Sequence, residues 1–210
     1  EIINIQLSAS NTDLNYPLFF HVLPEDSEVV LYKDDSVEIS NILLNHTINC
    51  SGFIFREIKY KRKIIKNKIQ EFNIPYDKII DLKNGLDFIS ENGNVISNDL
   101  MTSHSSPPKS YAYCSDTSFF SEIISKIRGV DLLYHEATFC HDLKERALET
   151  GHSTTRDAAT IAKEANVKRL MLGHYSKRYS DLNDLLLESR DVFPNTFLSK
   201  SGDTIDFNDI

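Results

Sequence analysis

No run of apolar residues in this 210-residue chain approaches the roughly 18 needed to cross a bilayer; the longest, such as 42–44 and 132–134, are far shorter. With no membrane span and no secretory leader in view, the chain is expected to be soluble. Cysteine is scarce as well. Cys50, Cys114 and Cys140 form no Cys-x-x-Cys pair and leave an odd thiol, which argues against a disulfide framework and favours a reducing cytoplasm. Each is expected to behave as a small apolar residue in a structural position. There is no internal repeat and no low-complexity segment. What remains, with 40% apolar residues, is enough for one substantial core, in a single domain or a domain with an appendage.

A net charge of −8 excludes a protein coated in positive potential. The positive charge is nonetheless concentrated: Arg56, Lys59, Lys61, Arg62, Lys63, Lys66 and Lys68 are seven of the 23 basic residues, with Glu57 the one acid among them. Two readings stand side by side, a solvated helix face and a basic arm that neutralises the phosphates of a polyanion.

Residues 1–10 read as the end of an amphipathic helix that starts without a cap. A hairpin is expected over 27–44 around Asp34 and Asp35, then a strand over 52–58. The basic segment, the break at Asn73-Ile74-Pro75, and the turns at Asn84-Gly85 and Asn92-Gly93 predict a protruding, turn-rich arm over residues 56–98. A connector with Pro107-Pro108 follows. From residue 110 strands and helices alternate: strands at 111–115, 131–135, 168–174 and 196–200, and helices at 118–127, 140–149, 154–164 and 182–192. Such alternation predicts a layered α/β domain with functional groups where strands pass into loops. A short hairpin around Gly202-Asp203 is expected to close the chain.

The residues with useful chemistry collect at those strand ends. His46 follows Leu43-Leu44-Asn45, Asp116 follows Tyr113-Cys114-Ser115, His152 precedes a helix, and His174 ends Leu170-Met171-Leu172-Gly173. Imidazole nitrogens and a carboxylate suit divalent ions such as zinc, and a carboxylate can serve two ions at once. Asp116 reads equally as the N-cap of a helix over 118–127. His46 and His174 read equally as ordinary loop-edge histidines. Glu136, beside His135, is either an acid that orients a ligating imidazole or a helix-dipole or salt-bridge partner. His152, before Ser153-Thr154-Thr155, sits where helix amides favour an anion such as phosphate, with a plain Ser or Thr cap as the alternative.

Taken in order, Asn45-His46 with Gly52-Phe53, Tyr113-Cys114-Ser115-Asp116-Thr117, His135-Glu136-Ala137-Thr138-Phe139, Gly151-His152-Ser153-Thr154 and Gly173-His174-Tyr175-Ser176-Lys177-Arg178-Tyr179 resemble ribonuclease Z. That family comprises transfer-RNA 3′-end-processing endonucleases of the metallo-β-lactamase superfamily. The resemblance covers essentially the whole chain. It implies an αββα sandwich, represented here by its C-terminal two thirds, with residues 56–98 as an inserted RNA-binding arm. It implies two zinc ions per complete active site, held in part by His46, Asp116 as the bridge, and His174. It implies that the catalytic pair is His152, facing the scissile phosphate, and Glu136, which with His135 supports the site, while a metal hydroxide attacks the phosphodiester of a precursor transfer RNA. Lys59, Lys61, Arg62, Lys63, Lys66 and Lys68 would grip the RNA backbone in a cytoplasmic homodimer without membrane attachment.

Two departures qualify that picture. The family's His-x-His-x-Asp-His motif has no match, because the histidines at 21, 46, 104, 135, 141, 152 and 174 show no such spacing. The chain is therefore expected to be a fragment that lacks the N-terminal third and is inactive alone. The arm also carries Pro75 but none of the Gly-Pro steps found in bacterial members. A small-ester phosphodiesterase of the same fold and a non-catalytic RNA-binding module remain as alternative functions.

Overall fold

Nothing in the sequence pattern alone shows which face of each strand looks inward; the burial of alternate residues does. In the computed structural model, which describes residues 2–58, 61–103 and 107–207, helix α1 (Ile2–Ala9) precedes strands β1 (Val30–Lys33), β2 (Val37–Leu44) and β3 (Cys50–Glu57). The arm follows with β4 (Lys63–Ile64), α2 (Lys66–Glu71), α3 (Ile79–Lys83), β5 (Phe88–Ile89), β6 (Val95–Ile96), α4 (Asn98–Met101) and β7 (Thr102–Ser103). The remainder runs β8 (Ser110–Cys114), α5 (Ile123–Lys126), β9 (Leu132–Glu136), α6 (Lys144–Thr150), α7 (Thr155–Glu164), β10 (Arg169–Gly173), α8 (Asn183–Val192) and β11 (Thr196–Leu198).

Seven strands form one mixed sheet in the order β1-β2-β3-β8-β9-β10-β11. The hairpin side is antiparallel, and β8 through β11 run parallel. Parallel neighbours need long crossovers, which the helices supply. Ile42, Ile54, Ala112, Leu133, Leu170 and Leu172 bury one sheet face against Ile123, Ile127, Ala158, Ile161 and Ala162. Each large aliphatic side chain fully withdrawn from water there contributes about 1.5–3 kcal/mol. Helix α7 is set by Thr154, whose hydroxyl caps Asp157 N–H while the Asp157 carboxylate answers the Thr154 amide. On the opposite face the side chains alternate to aromatic: Phe55 stacks on Tyr111, Tyr113 stacks on Tyr134, and all four are half-buried.

Three expectations change. Residues 117–122 are loop, because helix α5 begins only at Ile123, so the helix predicted over 118–127 is one turn long. The closing hairpin does not form: residues 199–207 contain no strand. The arm is a folded unit with its own core of Ile74, Leu82, Phe88 and Met101, against which Ile64, Ile69, Phe72 and Ile96 pack, and it extends to Ser103. Asn98 seals that unit by donating to the carbonyls of Leu82 and Leu86.

Candidate metal centre

The parallel register brings the ends of β8, β9 and β10 side by side, since Cys114 pairs with His135 and Gly173 with Glu136. The next residues therefore emerge at one mouth. Asp116 and His174 face each other there, Oδ1 to Nε2, at 3.3 Å. That separation suits two ligands of one tetrahedral ion, each about 2.1 Å from it. Asp116, Glu136, His152 and His174 place ligand atoms within 4.8 Å of one another. The helix-cap alternative for Asp116 falls, because no helix starts beside it.

Glu136 is wholly buried, yet its carboxylate is fully occupied. Oε1 accepts from the Thr117 amide at 3.0 Å and from His152 Nδ1–H at 2.7 Å. Oε2 accepts from the Thr138 amide at 3.1 Å and the Thr138 hydroxyl at 2.7 Å. Four donors on one carboxylate offset the cost of burying its charge. With its oxygens so engaged, Glu136 orients its neighbours, and its bond to Nδ1 leaves His152 Nε2 directed elsewhere.

His46 joins by a different route. Its Nδ1–H donates to the Gly151 carbonyl at 2.8 Å, and its ring centroid lies 5.1 Å from that of His152. Gly151 ends α6 in the left-handed region at φ 74°, and a Cβ there would fall 2.8 Å from His46 Nδ1, so only glycine fits. His152 and His174 are likewise 5.1 Å apart, centroid to centroid. The loops are laced together by the Asn45 amide on Thr117 Oγ1, the Ser118 amide on the Asn45 carbonyl, and the Ser153 hydroxyl on the Thr117 carbonyl. A cavity of about 570 Å³ opens beside His152, lined in part by Phe119, Lys144, Leu148 and Arg156.

His135 lies apart from this mouth. Alternation turns it into the core, where burial pulls its pKa down, although a hydrogen bond to the Glu136 carbonyl works the other way. Burial holds the cysteines toward the thiol form, pushing Cys114 up to about 12 and raising Cys50 and Cys140. In the arm, Lys59 lies outside the described residues. Arg62 is committed to Asp99 and to Thr102 Oγ1, and Lys68 to Glu71 and the Phe72 ring. Lys61, Lys63 and Lys66 make no ion pair among the described residues.

A donor set of imidazole nitrogens and a carboxylate, with those at His46 and His152 oriented by acceptors behind them, fits a divalent ion. The beta-lactamase superfamily domain matches residues 87–175. Ribonuclease Z of Bacteroides fragilis is 42% identical over 200 residues, spanning 95% of this chain and 66% of that protein. Ribonuclease Z of Cytophaga hutchinsonii is 40% identical over the whole chain, which covers 67% of it.

The chain belongs to the ribonuclease Z family.

It spans about two thirds of the length of these relatives. Two crystal structures share its fold. One is the metallo-beta-lactamase fold protein YhfI of Bacillus subtilis, with TM-score 0.53 and 19% identity over 86% of this chain and 53% of that one. The other is a long form RNase Z from yeast, with TM-score 0.51 and 18% identity over 84% of this chain and 18% of that one. The metallo-β-lactamase fold is thereby established, and the described residues contain one large sheet with its helical layer. Among them no helix is long and apolar enough to cross a membrane.

Thr117, Thr138, Gly151 and Ser153 stand inside the quoted motifs, but the sequence assigned none of them a part in the site. Of these, Gly151 alone carried a signal, as a glycine at a helix C-terminus.

Proposed function

We propose that the protein represented by this chain is a zinc-dependent endoribonuclease that removes the 3′ trailer from precursor transfer RNA, with two zinc ions in the complete site. The supporting observation is the convergence of Asp116, His174 and the Glu136–His152 pair at one mouth, in a chain about 40% identical to proteins named ribonuclease Z. Bound there, the ions supply Lewis-acid activation of water and neutralise charge growing on the phosphoryl oxygens.

The chain's own groups have distinct tasks in this reading. His46, Asp116 and His174 would hold the metal. His152, as an imidazolium, would donate its Nε2 proton to the leaving 3′ oxygen and be left neutral, while Glu136 holds the ring by Nδ1–H. The transfer RNA keeps a 3′-hydroxyl and the trailer leaves with a 5′-phosphate. The cavity lined by Phe119, Lys144 and Arg156 is of the size that small ligands fill, and it admits a nucleotide next to His152. Residues 56–98, within the folded arm, act as an RNA-binding insertion whose available cations are Lys61, Lys63 and Lys66. A cytoplasmic homodimer completes the proposal, supported by the half-buried aromatic sheet face and by the exposed Ile2, Ile3 and Ile5 of α1.

The test is incubation of the complete protein with 3′-extended precursor transfer RNA and, separately, with a chromogenic phosphodiester. Cleavage of the precursor to a 3′-hydroxyl end, abolished by Asp116→Ala and by His174→Ala, is the expected result. Turnover of the small ester alone marks a small-ester phosphodiesterase, and RNA binding without turnover marks a non-catalytic module. Either outcome refutes the proposal.

A further inference from the structure

His174 is held in an uncommon backbone conformation, with φ 59°, inside the left-handed region that non-glycine residues seldom occupy. Such geometry is strained and persists where neighbours over-determine it. The neighbours here come from one short segment at the end of β9. The Ala137 amide donates to the Gly173 carbonyl at 2.9 Å, and the Ser176 amide donates to the Thr138 carbonyl at 3.1 Å. Between these two bonds stands the Thr138 side chain. Its Oγ1 lies 2.7 Å from Glu136 Oε2, 2.9 Å from His174 Nδ1 and 3.1 Å from the His174 carbonyl.

We propose that Thr138 is a positioning residue that fixes both the conformation and the proton pattern of His174. A hydroxyl has one proton to give and lone pairs to receive others. Glu136 is the nearest acceptor and the charged one, so the Thr138 proton goes to it. Oγ1 then meets His174 Nδ1 with a lone pair, which requires that Nδ1 carry the ring proton. Nε2, facing Asp116 at 3.3 Å, is left with its lone pair turned to the mouth of the site. The relay is therefore directional: His174 Nδ1–H donates to Thr138, and Thr138 donates to Glu136. The buried carboxylate that orients His152 thus also orients His174, through one hydroxyl. The reverse pattern, with Nε2–H on Asp116 and a bare Nδ1, would close the mouth to an ion.

This inference rests on the reading of His174 as a ligand, and the experiment separates the two. Histidine-labelled complete protein is examined by nitrogen NMR at pH ~8, about 1.5 units above the value of a free imidazole, for wild type, Thr138→Ser and Thr138→Val. Cobalt(II) titration on the same samples follows the visible absorption of the bound ion. Wild type and Thr138→Ser are expected to show His174 protonated at Nδ1. Thr138→Val is expected to show mixed tautomers and cobalt binding about 10–100-fold weaker. Nε2–H in the wild-type ring overturns the proposal, and so does a valine variant with unchanged tautomer and affinity. Should the valine variant fail to fold, the wild-type spectrum and the serine variant still decide the proton pattern. Nδ1–H in the wild-type complete protein with no cobalt binding at all supports the relay and counts against His174 as a ligand.

Discussion

Glu136 and His152 meet at 2.7 Å, one wholly buried at the end of a strand and the other at the start of a helix. Replacing Glu136 by Gln keeps the shape but turns an NH2 group toward donors already aimed at the carboxylate. Two N–H groups and a hydroxyl besides the imidazole depend on those oxygens. Glu136→Gln should cost the chain about 1–3 kcal/mol of stability, read by urea unfolding. In the complete enzyme it should lower kcat on precursor transfer RNA by about 100-fold or more, the scale of a lost general acid. A variant with wild-type kcat would remove the Glu136–His152 pair from the chemistry.

Metal retention gives a second prediction. In the proposed assignment, His46, Asp116 and His174 divided over two ions would leave each ion short of the four ligands that a closed zinc site takes. After desalting, the isolated chain should hold less than one zinc, and it should process no precursor. Elemental analysis that finds two tightly held zinc ions per chain contradicts the proposed ligand assignment.

The arm separates its cations into two classes. Lys61, Lys63 and Lys66 make no ion pair among the described residues, whereas Arg62 and Lys68 are committed inside the arm. Neutralising those three lysines to Gln in the complete protein should weaken precursor binding and flatten its salt dependence. The log–log slope should fall by about 0.7–0.9 for each phosphate that is no longer neutralised. The arm should keep its fold, judged by circular dichroism. Arg62→Ala should instead loosen the arm, since Asp99 and Thr102 lose their partner. Equal salt slopes for the triple variant and wild type would assign the arm another task.

How much of this was readable beforehand depends on where the information resides. His46, Asp116, His152 and His174 stood out only together, through the order of the motifs that carry them, since each alone read as an ordinary cap or loop-edge residue. The part Thr117 plays toward Glu136 was not legible, because it acts there through its backbone amide, which any residue but proline could supply. The N-cap reading of Asp116 was reasonable from Asp-Thr-Ser-Phe-Phe. It failed because Thr117 spends its amide on Glu136, nineteen residues away, and the chain stays non-helical until Ile123. The arm's core was hidden for a similar reason: Ile74, Leu82, Phe88 and Met101 follow no helical or strand period. They are brought together by turns.

Asp131 yields a prediction with a definite sign. Burial by itself would raise its pKa, but hydrogen bonds from Lys168 at 2.6 Å and from the Ser110 amide and hydroxyl at 2.7 Å each leave it lowered. A carboxyl whose folded value lies below its unfolded value stabilises the fold fully above the unfolded value, near ~3.8, and loses that contribution as pH falls through the folded one. Asp131→Asn should therefore destabilise the chain by about 1–3 kcal/mol at neutral pH. The gap from wild type should narrow below about pH 4, where the wild-type carboxyl takes up its proton. A gap that stays constant through that range would show that the ion pair with Lys168 contributes nothing.

Gly151 ties backbone conformation to ligand placement, because its carbonyl holds His46 and its α-carbon stands where a side chain would strike the same ring. Gly151→Ala meets two costs at once, a left-handed φ of 74° and a Cβ 2.8 Å from His46 Nδ1. The strain alone is of order 1 kcal/mol. The clash should push His46 outward, lengthening its Nδ1–H···O bond and moving its ring relative to that of His152. Metal affinity should fall by about tenfold or more while most of the fold survives, since the core under α7 is untouched. Cobalt titration and thermal unfolding of the same variant distinguish the two effects. A large loss of stability with unchanged affinity would make Gly151 a helix terminator and nothing more.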